Sequence, residues 1–557
     1  MNVREIKFGE EQMELQKNGL DKLANAVKVT LGPKGRTVTI QKGNNVKVTK
    51  DGVSVAREVS ILNQFEQQGA QLALETCMKS NNVAGDGTTT AIVLAQAIMD
   101  GGISAIKGSE DGKIPGCNPI DVKHGVEMAT RQALAHLISL GREVSSDEQL
   151  LQVGNVSSNG DEHISQIIVD ALNKAGKNGM ITYQESSNLK TTLNVASGYH
   201  FRKGYNEENY CNVPGKLRCE LTDALVLITS IRINYWNAIF PYVVLSNEMG
   251  MPLLIIAEEL EGQSRADLLK AVDSGRANVC VVRAPATGDL RDKLMKDIAE
   301  YTGGEYIRYD KGDKLEFNIK NQEEVDRVIK RLGKAKKVIV DRDTTVIIGG
   351  QADPEKFDKH CASLFGAQEA EENDMEVKAL LQERLARLTS GVVEILVGGA
   401  TESEVKERKD RVEDSLNACR AAKDEGILPG GGIALLRVSN MSFEGLSPKN
   451  DGERAGIEVV KKALTVPIKQ LCINAGADPE EVLRKISMSN DVDFGWDVSE
   501  NIYGNMYGMG IVDPLKVVRS ALEGASSIAA LMLGNGCTIV DYVAMQPSGQ
   551  LSPLINI

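Results

Sequence analysis

The chain has 557 residues, 42% of them hydrophobic and 25% charged, which is too long for one hydrophobic core and ordinary for a multidomain globular protein. Its net charge of −13 speaks against nucleic acid or an anionic membrane as the main partner, since both call for a basic face. Nine scattered cysteines without a C-x-x-C pair, and only five histidines, argue against a structural zinc site and for free thiols in a reducing compartment.

The N-terminus carries no apolar signal-peptide core. Apolar runs such as residues 252–257 stop far short of the roughly 20 residues of a membrane helix, so a cytoplasmic protein is expected. Leu20, Leu23, Ala24, Val27 and Leu31 recur at helical spacing up to Gly32-Pro33, two poor helix continuers. Strands are predicted over residues 37–40 and 45–49, a turn at Asp51-Gly52, and a long helix from about residue 64 to 81. Gly85-Asp86-Gly87 interrupts it, and Thr88-Thr89-Thr90 opens another helix running through residue 99. Residues 108–117 read as a polar loop. Further on, short apolar strands at residues 253–257 and 279–283 alternate with helical stretches, the pattern of an α/β domain. Residues 337–340 and 344–348 form a hairpin, residues 375–388 and 402–423 charged amphipathic helices, and Asp513-Pro514 an N-cap followed by the first residue of an apolar helix.

Three strings carry chemistry. Ala84-Gly85-Asp86-Gly87-Thr88-Thr89-Thr90 stands at a helix start, where free N–H groups and a partial positive charge suit phosphate. Its glycines allow close approach, its hydroxyls donate, and Asp86 offers a hard oxygen for Mg²⁺. A tight turn with a Thr N-cap fits the same residues. Thr30-Leu31-Gly32-Pro33-Lys34-Gly35-Arg36 is a weaker, basic, Gly-rich candidate that also fits a plain turn. Gly430-Gly431-Gly432 is costly in conformational entropy and suggests a hinge or a close approach of backbone to ligand.

Taken together and in order, residues 27–36, 49–58 and 84–90, Gln382-Glu383-Arg384-Leu385-Ala386, Arg411-Val412-Glu413-Asp414, residues 421–432, Tyr503-Gly504-Asn505-Met506 and Asp513-Pro514 resemble the group I chaperonins of the GroEL type. The resemblance runs from about Lys7 to about Asp541. It implies a multidomain α plus α/β fold. A mainly helical equatorial ATP-binding domain would span 1–139 and 425–557, a small intermediate hinge domain 140–196 and 393–424, and an α/β apical substrate-binding domain 197–392. It also implies an ATPase that captures non-native proteins in a homo-oligomeric ring of seven subunits and promotes their folding. A passive holdase or structural ring is the alternative. By resemblance Thr30, Leu31, Gly32 and Pro33 match the nucleotide-cradling loop, Asp86 the Mg²⁺ ligand, and Gly87, Thr88, Thr89 and Thr90 the phosphate binders. Thr30, Lys50 and Thr90 lie near the family's K⁺ position. Asp51 resembles a carboxylate near the γ-phosphate and Asp414 the aspartate that orients the attacking water. Gly431 and Asp513 resemble adenosine contacts, and Asp497 stands where the family has an adenine-side Asn.

The chain also departs from the family. Trp236, Ile239, Phe240, Val243 and Val244 make one helical stripe that Tyr235 and Tyr242 widen. A core helix fits that pattern, but the resemblance favours a client-binding face, with Leu269 on a second helix and Tyr205 and Tyr210 on a nearby loop. Arg265, Lys270 and residues 206–209 are polar where the family is apolar, which leaves use of a co-chaperonin cap open. One hinge glycine is replaced by Ser390, and the chain ends without a Gly-Gly-Met tail. Ser104, the polar 108–117 loop and Asp478-Pro479-Glu480-Glu481 fall where the family's rings meet back to back, predicting a ring-to-ring contact either weakened through facing acidic clusters, toward a single ring, or rebuilt through the longer loop. This drift fits a phage-encoded or specialised paralogue, acting in the host cytoplasm in the phage case.

Overall fold

The computed structural model describes residues 4–541 except 44, 110–114, 159, 176–179, 187, 214–216, 372–373, 390 and 444. Ser390, residues 110–114 of the 108–117 loop and the C-terminal residues 542–557 therefore lie outside the described residues. The chain divides into two compact units, Met1–Val169 with Glu407–Ile557, and Asp170–Lys406.

The first unit is a helical core. Helix Gly9–Val27 buries Leu20, Leu23, Ala24 and Val27 on one face, as their spacing predicts, and runs out through a 3₁₀ turn at Lys28–Thr30. Helices Gln64–Ala84, Thr88–Lys107, Pro119–Leu140, Asp451–Ala463 and Leu515–Leu533 pack with it around Leu94, Ile98, Met99 and Leu137. Helix Thr88–Lys107 has a mean hydropathy of 1.4 over its most apolar window and is long and apolar enough to cross a membrane by composition. The expectation that no segment reaches that length is thus corrected: single Gln, Asp and Ser residues hide the run from a search for unbroken apolar stretches. Half of that window is buried, against helix Leu515–Leu533 among others.

The capping at Asp513 also differs from expectation. Helix Leu515–Leu533 is capped by the backbone of Pro514 without a side-chain bond, because Asp513 belongs to strand Val512–Pro514, which pairs with Ile427–Pro429. The acidic string near the ring-contact position is internally offset. Asp478 caps helix Pro479–Ser487 by accepting from Glu480 N, Glu480 pairs with Lys469 at 2.9 Å, and Glu481 with Lys485 at 2.8 Å.

The second unit is built on a nine-stranded mixed sheet. Its order is Met180–Glu185, Gly391–Val397, Thr192–Phe201, Thr345–Gly350, Gly333–Val340, Cys219–Thr229, Leu253–Ala257, Val279–Arg283, with Tyr306–Ile307 also pairing with Cys219–Thr229. The end formed by Cys219–Thr229, Leu253–Ala257 and Val279–Arg283 is parallel, in the register Leu225–Leu253–Val279. All five residues of Leu253–Ala257 are buried, as a strand covered on both faces requires. Fully buried Asp297 accepts from Arg384 Nε and a terminal guanidinium nitrogen at 2.8 and 2.7 Å, and bonds His360 Nε2 at 2.7 Å. One satisfied charge thus ties together helices Gly288–Thr302, Pro354–Ala370 and Met375–Thr389.

Candidate functional site

The loop between helices Gln64–Ala84 and Thr88–Lys107 is shaped by its two glycines. Gly85 and Gly87 both have positive φ, 75° and 83°, a conformation that L side chains rarely adopt. A Cβ on Gly85 would lie 2.4 Å from Asn417 Cβ, and one on Gly87 2.7 Å from Val517 Cγ1. The loop is therefore clamped between helices Glu402–Glu425 and Leu515–Leu533, with Ala84, Ala421 and Val517 packed beneath it. Asp414 lies one turn before Asn417 on the first of these helices, so both look toward the loop. Asp51 is not in a simple turn. It caps helix Gly52–Glu58, its carboxylate accepting from Val53 N at 3.2 Å and Ser54 N at 2.8 Å. A Cβ on Gly52 would meet Thr89 Oγ1 at 2.2 Å, so the two helix starts touch.

The result is a group of carboxyls that feel one another. Burial first, then the charge of Asp51, holds Asp86 above the usual carboxylate range, against a bond from Gly87 N. Burial, then Asp86 and Asp51, pushes Asp414 well above it. Asp513 is pushed up to about 6 by burial and by Asp86, although Gly431 N–H donates to it. It sits there because Leu428 pairs with Asp513, which brings Gly430-Gly431-Gly432 alongside. Such a cluster is destabilised until cationic charge enters. The donor set, hard oxygens only, fits Mg²⁺ held by one protein carboxylate with phosphate and water completing the shell. Among the described residues no three His, Cys, Asp or Glu side chains converge as a protein-only cage would need.

The second loop is held from a distance. Thr30 is buried and donates through Oγ1 to Val27 O at 2.9 Å. Gly32 has φ 78° and would strike Leu471 with a Cβ at 2.2 Å, and Leu31 packs on the same cluster as Leu471 and Trp496. Asn474 donates to Lys28 O and Leu31 O, both at 2.9 Å, fixing the turn before Pro33. Lys50 Nζ reaches Pro33 O at 3.4 Å, and burial, then the Arg411 charge, lowers its pKa. Asp497 ends strand Phe494–Asp497 and accepts from Ser499 N at 2.7 Å. The structure thus gathers Asp51, Asp86, Asp414 and Asp513, and holds Thr30, Gly32 and Lys50 on one neighbouring turn. Sequence reasoning missed Asn417 and Asn474. The first could have been found as the residue one helical turn after Asp414; the second has partners more than 440 positions away and leaves no local signal.

Comparison with known proteins decides the family. The family model of the TCP-1/cpn60 chaperonin family matches residues 23–284 and 275–541. The chain belongs to that family. Two crystal structures of the chaperonin gp146 from the bacteriophage EL 2 (Pseudomonas aeruginosa), both in presence of ATP-BeFx, share its fold. One matches with a TM-score of 0.61 at 20% identity, the other with 0.57 at 21%, and each alignment covers 96% of this chain and 99% of that one. The chain is thus a divergent chaperonin of GroEL-like fold.

The client-binding residues expected for this chaperonin do not share one surface. The predicted stripe is not one helix: Trp236–Ala238 is a 3₁₀ turn, and the α-helix starts at Phe240 and runs to Met249. Pro241 explains the break, since proline is favoured in a first turn and disfavours helical backbone before it. Val243 is 4% exposed and Tyr242 2%, both turned into the core, where Tyr242 meets Phe317 edge to face at 5.1 Å. Tyr205 and Tyr210 are core residues as well, because their loop folds inward, with Tyr205 bridged to Val282. What stands out to solvent is Tyr235, 47% exposed, and Phe240, 44% exposed, with half-buried Trp236 tilted against Phe240 at 5.6 Å and half-buried Leu269 on helix Gly262–Asp273, which packs against the Trp236–Ala238 turn.

Proposed function

We propose that this chaperonin binds and hydrolyses Mg²⁺–ATP at the Asp51, Asp86 and Asp414 cluster and couples that cycle to capture and folding of non-native proteins. The observation that carries the proposal is the set of carboxyls forced together by two glycine-dependent contacts at the start of a helix. Backbone N–H groups satisfy Asp51 and Asp86 only in part; a cationic ligand would offset the remaining repulsion, and the helix N-terminus beside them suits the phosphates that would accompany it. In this reading Asp86 holds the metal, Thr88, Thr89 and Thr90 donate to phosphate oxygens, Asp414 orients the attacking water, and the 30–33 turn closes over the nucleotide. Mg²⁺ would supply charge neutralisation at the phosphates. K⁺ near Thr30, Lys50 and Thr90 belongs to the same proposal, as do the equatorial, intermediate and apical domain limits and a cytoplasmic location.

Ring assembly is supported by two unfinished sheets. The hairpin Val38–Lys42 with Asn45–Thr49 exposes Val46 and Val48 at 64% and 60%, and the pair Arg4–Phe8 with Cys537–Asp541 exposes Ile6, Phe8 and Ile539. Two-stranded sheets are marginal alone, and each presents an apolar face and open edges that a second copy can complete. Phosphate release measured with Asp414→Ala tests the ATPase. Turnover should fall roughly 10²-fold or more with nucleotide affinity near normal, whereas Asp86→Ala should lose Mg²⁺-dependent binding as well. Equal loss of affinity and turnover in Asp414→Ala, or full Mg²⁺-dependent activity in Asp86→Ala, would remove these assignments.

A further inference from the structure

The exposed aromatic face has a border whose charge has not been accounted for. Strand residue Ile233 donates to Glu259 O at 3.0 Å and accepts from Glu261 N at 2.9 Å, which sets Glu259 and Glu261 beside the segment leading into Tyr235 and Trp236. Helix Gly262–Asp273 then packs next to both the Trp236–Ala238 turn and the Glu208–Tyr210 turn, so the second edge of the face carries Glu207 and Glu208. The cations on this border are already engaged: Arg265 with Glu207, Lys270 with Asp267 at 3.8 Å, and Arg232 with Glu258 at 3.6 Å. Glu208, Glu259 and Glu261 have no ion-pair partner among the described residues. Glu259 and Glu261 lie close enough that a hydrogen bond between them, then their repulsion, lifts the Glu261 carboxyl above its ordinary value, which Arg232 only partly offsets.

Resting on the proposed capture of non-native proteins, and taking exposed Tyr235 and Phe240 with half-buried Trp236 as its face, we infer that this face selects basic amphipathic segments, in which Lys or Arg alternates with apolar residues. The chemistry is complementary at two levels. Aromatic faces carry negative quadrupoles, with Trp the strongest, and attract ammonium and guanidinium groups. The unpaired carboxylates at both edges would meet the cationic side chains that flank an apolar residue seated on Phe240. A client segment that is apolar and acidic would keep only the apolar contact with Phe240, gain nothing from the aromatic faces, and meet repulsion at the carboxylates.

Two labelled unstructured peptides of equal length and equal apolar content, one with Lys and one with Glu at its polar positions, test this by fluorescence anisotropy with the full chain. The basic peptide should bind at least about tenfold more tightly, with the advantage shrinking as salt screens the border. Glu259→Gln with Glu261→Gln should remove most of the preference, while the same charge change at Glu355 and Glu369, on helix Pro354–Ala370, should leave it. Tyr235→Ser with Phe240→Ser, both exposed sites, should weaken both peptides. Equal affinities in the wild type, or a preference that survives Glu259→Gln with Glu261→Gln, would overturn the selectivity and leave client capture standing. Binding of both peptides that ignores Tyr235→Ser with Phe240→Ser would instead overturn the face itself.

Discussion

Asp86 hangs from a loop whose two glycines are pressed against Asn417 and Val517, so its position follows from backbone geometry. Phe240 stands at the start of a helix with Trp236 tilted against it, and its position follows from which way a short helix happens to face. In the first region a side chain added to the backbone breaks the site. In the second, most substitutions leave the fold intact and change only what the surface offers. Chemistry that needs sub-ångström placement is built on the former, and capture of varied partners is suited to the latter.

Several substitutions would break or sharpen that contrast. The largest effect is expected at the loop. Gly85→Ala should cost about 1–2 kcal/mol for left-handed backbone and about 1–3 kcal/mol for overpacking against Asn417, seen as a lower melting temperature and lost Mg²⁺-nucleotide binding. Asn417→Gly, at a helix-interior cost of about 1 kcal/mol, should restore part of the nucleotide binding in the double variant, because it removes the Cβ and carboxamide that the new methyl strikes. If Gly85→Ala is silent, the clamp is not rigid. Next comes assembly: Val46→Lys with Val48→Lys removes roughly 1.5 kcal/mol of burial per valine at each contact and should shift native mass spectra toward lower oligomers while the monomer stays folded.

The aromatic face divides more finely. Val243→Ser should destabilise the second unit by about 2–4 kcal/mol, since it empties and polarises a core position. Phe240→Ser should change stability by no more than about 0.5 kcal/mol yet weaken client capture. Equal destabilisation by both would place Phe240 in the core. The smallest effect concerns pH. Asp513 has its folded pKa raised to about 6 from an ordinary 3.8, so the folded state binds the extra proton between those values. Its contribution to stability is present below about pH 4 and is lost as pH rises through about 6. Asp86 and Asp414 shift in the same direction. Thermal melting of the nucleotide-free protein should therefore fall across that window, and Asp513→Asn should flatten the slope by on the order of 3 kcal/mol.

How much of this was legible in the sequence depends on range. The helix ending at Gly32-Pro33, the hairpin that ends at Thr49 and the Gly85–Gly87 break were readable because local residues dictate them. Asp51 read as part of a turn and proved to cap Gly52–Glu58, a short helix that the sequence reading did not expect. Asp513 read as a cap and proved to be a strand residue, because its partner Leu428 lies far upstream. The client stripe failed for another reason. Spacing alone cannot tell a face turned to solvent from one turned to a sheet, and Pro241 interrupts the periodicity that suggested a single helix.

The division of the first unit between two distant stretches of chain has a consequence for its own birth on the ribosome. Helices Thr88–Lys107 and Pro119–Leu140 emerge early, but the helix that covers them, Leu515–Leu533, is made last, and strand Arg4–Phe8 waits for Cys537–Asp541. At ordinary elongation speeds that interval is roughly 20–80 s, during which apolar stripes meant for the core stay uncovered while the contiguous second unit can already fold. A chaperonin chain thus passes through a long stage in which it exposes the apolar surface of a non-native protein.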